Sequence, residues 1–302
     1  MSSVKRPIIV ILVILIAPIV FILSDKFVKR VDKESKNTQV IAETPQPQKD
    51  FKISLKDTVE NVLLGKEGTY GIFIKNLKTG ESYAFNEHKN FEPGSLYKIW
   101  ILAVTFNEIE NGRLKENQIL SQEIAVLNEK FHISSESAEL TEGQITLSAK
   151  EAMEQMITIS DNYSALLLSE KVRFSTVKIF LQKNDFNESF LGEPPQTTPY
   201  DIALFFEKLY KGELANQENT DKMLSLFKKQ RLNSKLPKYL PKETIIAHKT
   251  GEIGYFSHDA GIVYTPNGDY VIAILSKSEA PDQANEQIAE ISKKVYDYFV
   301  SS

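Results

Sequence analysis

Three short polar motifs, far apart in the chain, constrain its fold more than any other feature. Ser95-Leu96-Tyr97-Lys98 comes first. Ser160-Asp161-Asn162 follows 65 residues later, and Lys249-Thr250-Gly251 a further 89 residues on. Singly each is a weak signal. The serine-lysine pattern occurs four times, starting at Ser2, Ser95, Ser175 and Ser225, and Lys78-Thr79-Gly80 repeats the third motif. The information lies in their order and in what surrounds each one. A serine hydroxyl is a poor nucleophile until a neighbouring base takes its proton. The three segments therefore amount to chemistry only in a fold that closes them onto one cleft.

Local context supports such a fold. After Ser95, the residues Ile99, Leu102, Ala103 and Phe106 fall on one helical face, and Gly112 marks the stop. Ser95 is thus expected at a helix N-terminus, where its backbone N–H can hold a developing oxyanion. Lys98 would lie one turn away on the same face. A lysine that is desolvated or set among other cations can act as a base. Ser160-Asp161-Asn162 falls between two helical stretches and offers a hydroxyl relay and a substrate-orienting amide. Capping of the second helix by Ser160 or Asp161 is the ordinary alternative. Lys249-Thr250-Gly251 is expected at the end of a strand. There lysine and threonine can face a substrate anion, and glycine permits close approach to an edge. The earlier Lys78-Thr79-Gly80 reads as a hairpin turn with Gly80 supplying the unusual φ.

Secondary-structure signals group by region. A helix over about 57–64 capped by Ser54 and a hairpin over 70–85 come first. A helical block follows, with further helices at 148–159, 162–172, 175–183, 199–211 and 220–230. Strands at 244–248, 260–265 and 270–276, with Asn267-Gly268 as a turn, precede a helix over about 284–299. The expected fold is α/β (α+β) in two parts. A five-stranded antiparallel sheet made by both ends carries the terminal helices, and an all-helical subdomain spans about 94–235.

Ahead of this domain, Pro7 to Ser24 is an 18-residue run without a charge, preceded by Lys5 and Arg6. It is long enough to span a bilayer and lacks a convincing cleavage site. The chain is therefore divided into an N-terminal membrane anchor (1–30), a polar linker (31–50) and a catalytic domain (51–302). The basic residues Lys26, Lys29, Arg30 and Lys33 leave orientation unresolved by charge alone. A net charge of −4 gives no reason to expect nucleic acid as a partner. The absence of cysteine excludes thiol chemistry, and four scattered histidines give no metal-binding spacing. No metal or cofactor is expected.

The ordered motifs resemble those of class A β-lactamase-like, penicillin-recognising serine hydrolases. The resemblance runs from about Ser54 to Phe299. It takes in Gly71-Ile72-Phe73 through Gly80, and Thr197-Thr198-Pro199, which resembles the segment closing the family's omega loop. It implies acyl transfer from a β-lactam or a cell-wall peptide. Ser95 would attack the carbonyl with help from Lys98. Ser160, tuned by Lys249, would pass a proton to the departing nitrogen. Asn162 would bind the substrate's side-chain amide, Lys249 and Thr250 its carboxylate, and Ser95 and Glu252 N–H groups the oxyanion. Gly251 completes the third motif at the substrate-binding edge. A monomer, held to the lipid bilayer through residues 7–24 with its domain outside the cytoplasm, fits this resemblance.

The chain departs from the family pattern at the omega loop. Only four residues separate Pro194 from Pro199, so the loop is shortened. Glu193, in Glu193-Pro194, resembles the deacylating glutamate, with Glu188 a weaker candidate, and slow deacylation is expected. The carboxylate-binding arginine of many members has no clear counterpart. His258 falls near its place and reads better as structural. A D-alanyl-D-alanine peptidase or penicillin-binding protein, and a noncatalytic β-lactam or muropeptide sensor, are the alternatives.

Overall fold

The computed structural model describes residues 53–301. The expected anchor and linker lie outside the described residues. Helix α1 (Leu55–Leu63) starts where Ser54 Oγ accepts the Asp57 N–H at 3.1 Å, satisfying one free donor of the first turn. Strands β1 (Thr69–Asn76) and β2 (Ser82–Phe85) form the first hairpin. Asn76 Oδ1 accepts from the N–H groups of Lys78 and Thr79, both at 2.9 Å, and Gly80 takes φ 77°. The first Lys-Thr-Gly is therefore a hairpin turn, as its sequence implied.

The chain then leaves the sheet for helices α2 (Lys98–Glu110) and α3 (Ile124–Lys130), α4 (Ala149–Thr158) and α5 (Asn162–Val172), and α6 (Phe174–Lys183), α7 (Pro199–Tyr210) and α8 (Gln217–Lys228). It returns as β5 (Ile246–Ile253), β6 (Phe256–Val263) and β7 (Tyr270–Lys277), and ends in α9 (Pro281–Val300). The five strands lie in the order β2-β1-β7-β6-β5, all antiparallel. The expected five-stranded antiparallel sheet, built from both ends of the domain and combined with helices, is thus observed.

Strand β7 shows why the two ends of the chain combine. Alternate side chains of a strand point to opposite faces. Tyr270, Ile272 and Ile274 enter a core with Leu55 and Val59 of α1 and Ile288, Ile291 and Val295 of α9. Val271, Ala273 and Leu275 enter the other core, with α2, α4, α5, α7 and α8. Both faces are covered, so β7 reads as an unbroken apolar run. Helix α2 is likewise buried around its circumference from Lys98 to Phe106, the behaviour of a helix at the centre of a bundle.

Three features differ from the sequence reading. The helical part is not all-helical: strands β3 (Ile119–Glu123) and β4 (Gln144–Ser148) pair as a separate ribbon. Each is only five residues long. Gln144–Ser148 does alternate, with Ile145 and Leu147 packed against the helical core, but so short a run beside the start of α4 does not stand out as a strand. Strand β5 runs on through Lys249-Thr250-Gly251 to Ile253, so the motif is internal to the strand. Strand β6 begins at Phe256, because pairing of Glu252 with Ser257 and of Ile253 with Phe256 extends the ladder. Glycines at 251 and 254 gave this stretch the composition of a loop.

Candidate active site

Two glycines bring the nucleophile candidate to the sheet. Ser95 sits in a 3-10 turn, Gly94–Tyr97, and α2 begins only at Lys98. Ser95 thus lies at the N-terminal end of this helical run, as its sequence implied. The turn presses against the backbone of β5. A Cβ added to Gly94, whose φ is 49°, would lie 2.8 Å from both N and O of Glu252. A Cβ added to Gly251 would come within 2.4 Å of Pro93 O. Side chains at either position would force the turn and the strand apart. The half-buried Ser95 is thereby held against the strand that carries the third motif.

Lys98 is buried beneath this turn. Its Nζ donates to Ser160 O at 2.5 Å, to Ser160 Oγ at 3.3 Å and to Asn162 Oδ1 at 2.7 Å. The lysine thus reaches across to the second motif, and none of these three acceptors belongs to Ser95. Burial brings its pKa down to about 8, partly opposed by the charges of Asp161 and Glu139. Its proton is therefore lost far more readily than that of an exposed lysine.

The second motif bends to meet it. Ser160 takes φ 61°, a left-handed conformation uncommon outside glycine and asparagine, which points to a position fixed by its surroundings. Asp161 then caps α5, accepting the Ser164 N–H at 2.6 Å. The capping alternative thus falls to Asp161, leaving the Ser160 hydroxyl free for other partners. Lys249 Nζ donates to that hydroxyl at 2.9 Å and to Thr250 O at 2.8 Å. Burial, and then the charge of Lys98, hold the Lys249 pKa well below the usual lysine range. Ser160 Oγ accepts from two ammonium groups, so its own proton is free to point elsewhere. Asn162 is fixed between Lys98 and Glu139, donating from Nδ2 to Glu139 Oε1 at 2.5 Å.

The glutamate candidates separate clearly. Glu188 accepts from Thr198 Oγ1 at 2.6 Å, and its other oxygen lies 2.8 Å from His88 Nδ1. It fastens the base of the loop. Glu193 is exposed, next to a cis bond to Pro194, in a loop pinched by pairing of Phe190 with Gln196. Pairing of Phe91 with Thr197 ties that loop to the segment leading into Ser95.

His258 is structural. Its Nε2–H donates to Glu92 O at 2.8 Å while Nδ1 accepts the Ser276 N–H at 3.1 Å. Burial lowers its pKa to about 4, so the ring is neutral. The cation at this end of the site is instead Lys235, buried in the segment between α8 and β5 and ion-paired to Glu252. A lone loop lysine carries no motif that would single it out in the sequence.

Together these groups join a half-buried serine, a buried lysine that loses its proton readily, a hydroxyl bonded by two lysine side chains, and further positive charge at Lys235. Residues 54–299 match the family described as the beta-lactamase enzyme family. Among curated relatives, β-lactamase VEB-1 of Pseudomonas aeruginosa is 25% identical over 277 residues, covering 80% of this chain and 89% of that protein. A β-lactamase of Bacteroides uniformis is 23% identical over 269 residues, covering 80% and 90%. Among solved structures, PBP-A superposes with a TM-score of 0.74 at 27% identity, covering 82% of this chain and 96% of that one.

Keeping Lys98 buried has a stability cost with a definite pH dependence. Its folded-state pKa lies below the ordinary 10.5. The unfolded chain therefore holds the proton more tightly. The cost is full below about pH 8 and fades as pH rises towards 10.5. Lys98→Met is expected to raise folding stability at pH 7 by about 1–3 kcal/mol. The gain should shrink at pH 10. Denaturant titrations at the two pH values measure both.

Proposed function

We propose, for a chain that belongs to the beta-lactamase enzyme family and is a β-lactamase-like serine hydrolase, that Ser95 opens a β-lactam amide to form an acyl-enzyme. Neutral Lys98 takes the Ser95 proton as Oγ attacks the carbonyl carbon. The oxyanion is held by the N–H groups of Ser95 and Glu252. The C–N bond breaks as Ser160 gives its proton to the nitrogen, with Lys249 stabilising the oxygen left behind. Asn162 binds the side-chain amide of the substrate. Thr250, Lys249 and Lys235 face its carboxylate, and Gly251 lets the Ser95 turn sit against the strand. Water then cleaves the ester, with Glu193 as the base.

The observation that carries this reading is the convergence of Lys98 and Lys249 on one Ser160 hydroxyl. It supplies both an acceptor for the nucleophile's proton and a donor for the leaving nitrogen. Deacylation is the weaker step in this reading. It needs a fixed water and a fixed base, and Glu193 lies exposed in a shortened loop. A D-alanyl-D-alanine peptidase is the second reading. The likeness to PBP-A favours it, since a variant of that protein is known as an acyl-enzyme complex with penicillin G. Both readings share the acylation step and differ in how fast the ester is released. We further propose that residues 7–24 anchor the domain to the outer side of the cell membrane, on the strength of their uncharged run.

Three outcomes are expected. Intact-mass spectrometry after benzylpenicillin should show one adduct, absent in Ser95→Ala, and its formation should accelerate with pH around 8. An adduct surviving in Ser95→Ala would overturn the assignment. Stopped-flow measurements should show a burst followed by slow turnover, and Glu193→Gln should slow the second phase by about 100-fold while sparing the burst. An unchanged second phase removes Glu193 from the mechanism. Finally, fractionated cells should retain the full-length chain in the membrane, whereas a soluble form starting beyond Ser24 would point to a cleaved signal.

A further inference from the structure

The ion pair between Lys235 and Glu252 is unequal. The lysine side chain is 1% exposed and the glutamate 61%. A nearly buried ammonium without a partner is costly. An exposed carboxylate needs no partner and loses side-chain freedom by taking one. The pair therefore exists for the sake of the lysine.

Lys235 is also fixed from both sides along the chain. The Leu236 N–H donates to Asp259 Oδ2 at 3.0 Å, and Leu236 O accepts from Ser292 Oγ of α9 at 2.8 Å. Asn233 Oδ1 lies 3.2 Å from His248 Nε2, and His248 Nδ1 lies 2.8 Å from Asp259 Oδ1. Asp259 is fully buried and serves both arms, so segment 233–236 is locked to β5, β6 and α9. Glu252 differs: its backbone is pinned against the Ser95 turn, but its carboxylate extends to the exposed rim. The two charges also act in opposite directions on Lys249, Lys235 pushing its proton off and Glu252 holding it. A rigid cation thus stands beside the strand that carries the third motif, with an exposed anion of the same chain resting on it.

We propose that Glu252 is an internal occupant of the anion site at Lys235, which a carboxylate-bearing substrate must displace, so that Glu252 sets the selectivity between anionic and uncharged acyl donors. This rests on the acylation reading above. Binding of an anionic substrate is then an exchange of one carboxylate for another at Lys235. An uncharged substrate leaves the internal pair intact. The residue following the third motif thereby tunes substrate charge preference through its side chain.

The test is the second-order rate of Ser95 acylation by benzylpenicillin and by its methyl ester, read by intact mass in wild type, Glu252→Gln and Lys235→Met. The ratio of acid to ester cancels any change common to both reagents. In Glu252→Gln the ratio is expected to rise about three- to tenfold, from removal of a competing anion at a partly screened site. In Lys235→Met it is expected to fall by about tenfold or more. An unchanged or lower ratio in Glu252→Gln overturns the proposal, and this variant decides alone if Lys235→Met does not fold. Absence of any adduct in wild type with both reagents overturns the acylation reading and this proposal with it, a result distinct from an unaltered ratio.

Discussion

The Ser160 hydroxyl accepts hydrogen bonds from two buried ammonium groups, and much of the structure serves to keep that arrangement in place. Two like charges at such close quarters repel, and burial removes the water that would screen them. Burial lowers both pKa values, and the charge of Lys98 lowers that of Lys249 further. The two lysines stay together because each is carried by a rigid element, Lys98 at the start of the central buried helix and Lys249 within β5. The left-handed backbone at Ser160 and the cap at Asp161 set the third corner. A looser scaffold would let the ammonium groups move out to solvent and recover ordinary pKa values.

Close backbone approach does the corresponding work for the nucleophile. Ser95 owes its position less to helix geometry than to the packing of a 3-10 turn against Gly251 and Glu252. Glycine at 251 is a requirement of space, and glycine at 94 of both space and a left-handed φ. This contact joins the helical part to the sheet at the point where both contribute reacting groups. In the acylation proposed above, small displacements of these groups would be costly to rate, which gives this packing contact between two backbones its importance there.

Much of this was legible in the sequence, and what was not has physical reasons. The five strands and terminal helices showed because their apolar periodicity is set by a core on each sheet face. The three motifs showed because their residue types and order are unusual together. The ribbon β3–β4 was missed because its strands are only five residues long, too short for the alternation at Gln144–Ser148 to stand out beside the helical pattern that follows. The inner position of Lys249-Thr250-Gly251 was missed because its glycines resemble a loop. Lys235 could not be found at all: its role depends on where Asp259, His248 and Ser292 hold its segment. Lys98 was expected to face Ser95, yet its hydrogen bonds go to Ser160 and Asn162, a choice made by tertiary packing that helical spacing cannot reveal.

Strand β7 lies at the centre of the sheet, between β1 from the beginning of the domain and β6 from its end. The Tyr70 hydroxyl, at the start of β1, bonds to Gln287 of α9, 217 residues away. During synthesis, then, the first hairpin has no sheet to join until nearly the whole chain has emerged. The serine turn likewise has no strand to lean on before β5 arrives. Chains dominated by such distant pairings close slowly and expose unpaired edges while they wait. A chain halted short of β7 would carry Ser95, Lys98, Ser160 and Lys249 but lack the central strand of the sheet that holds them in register.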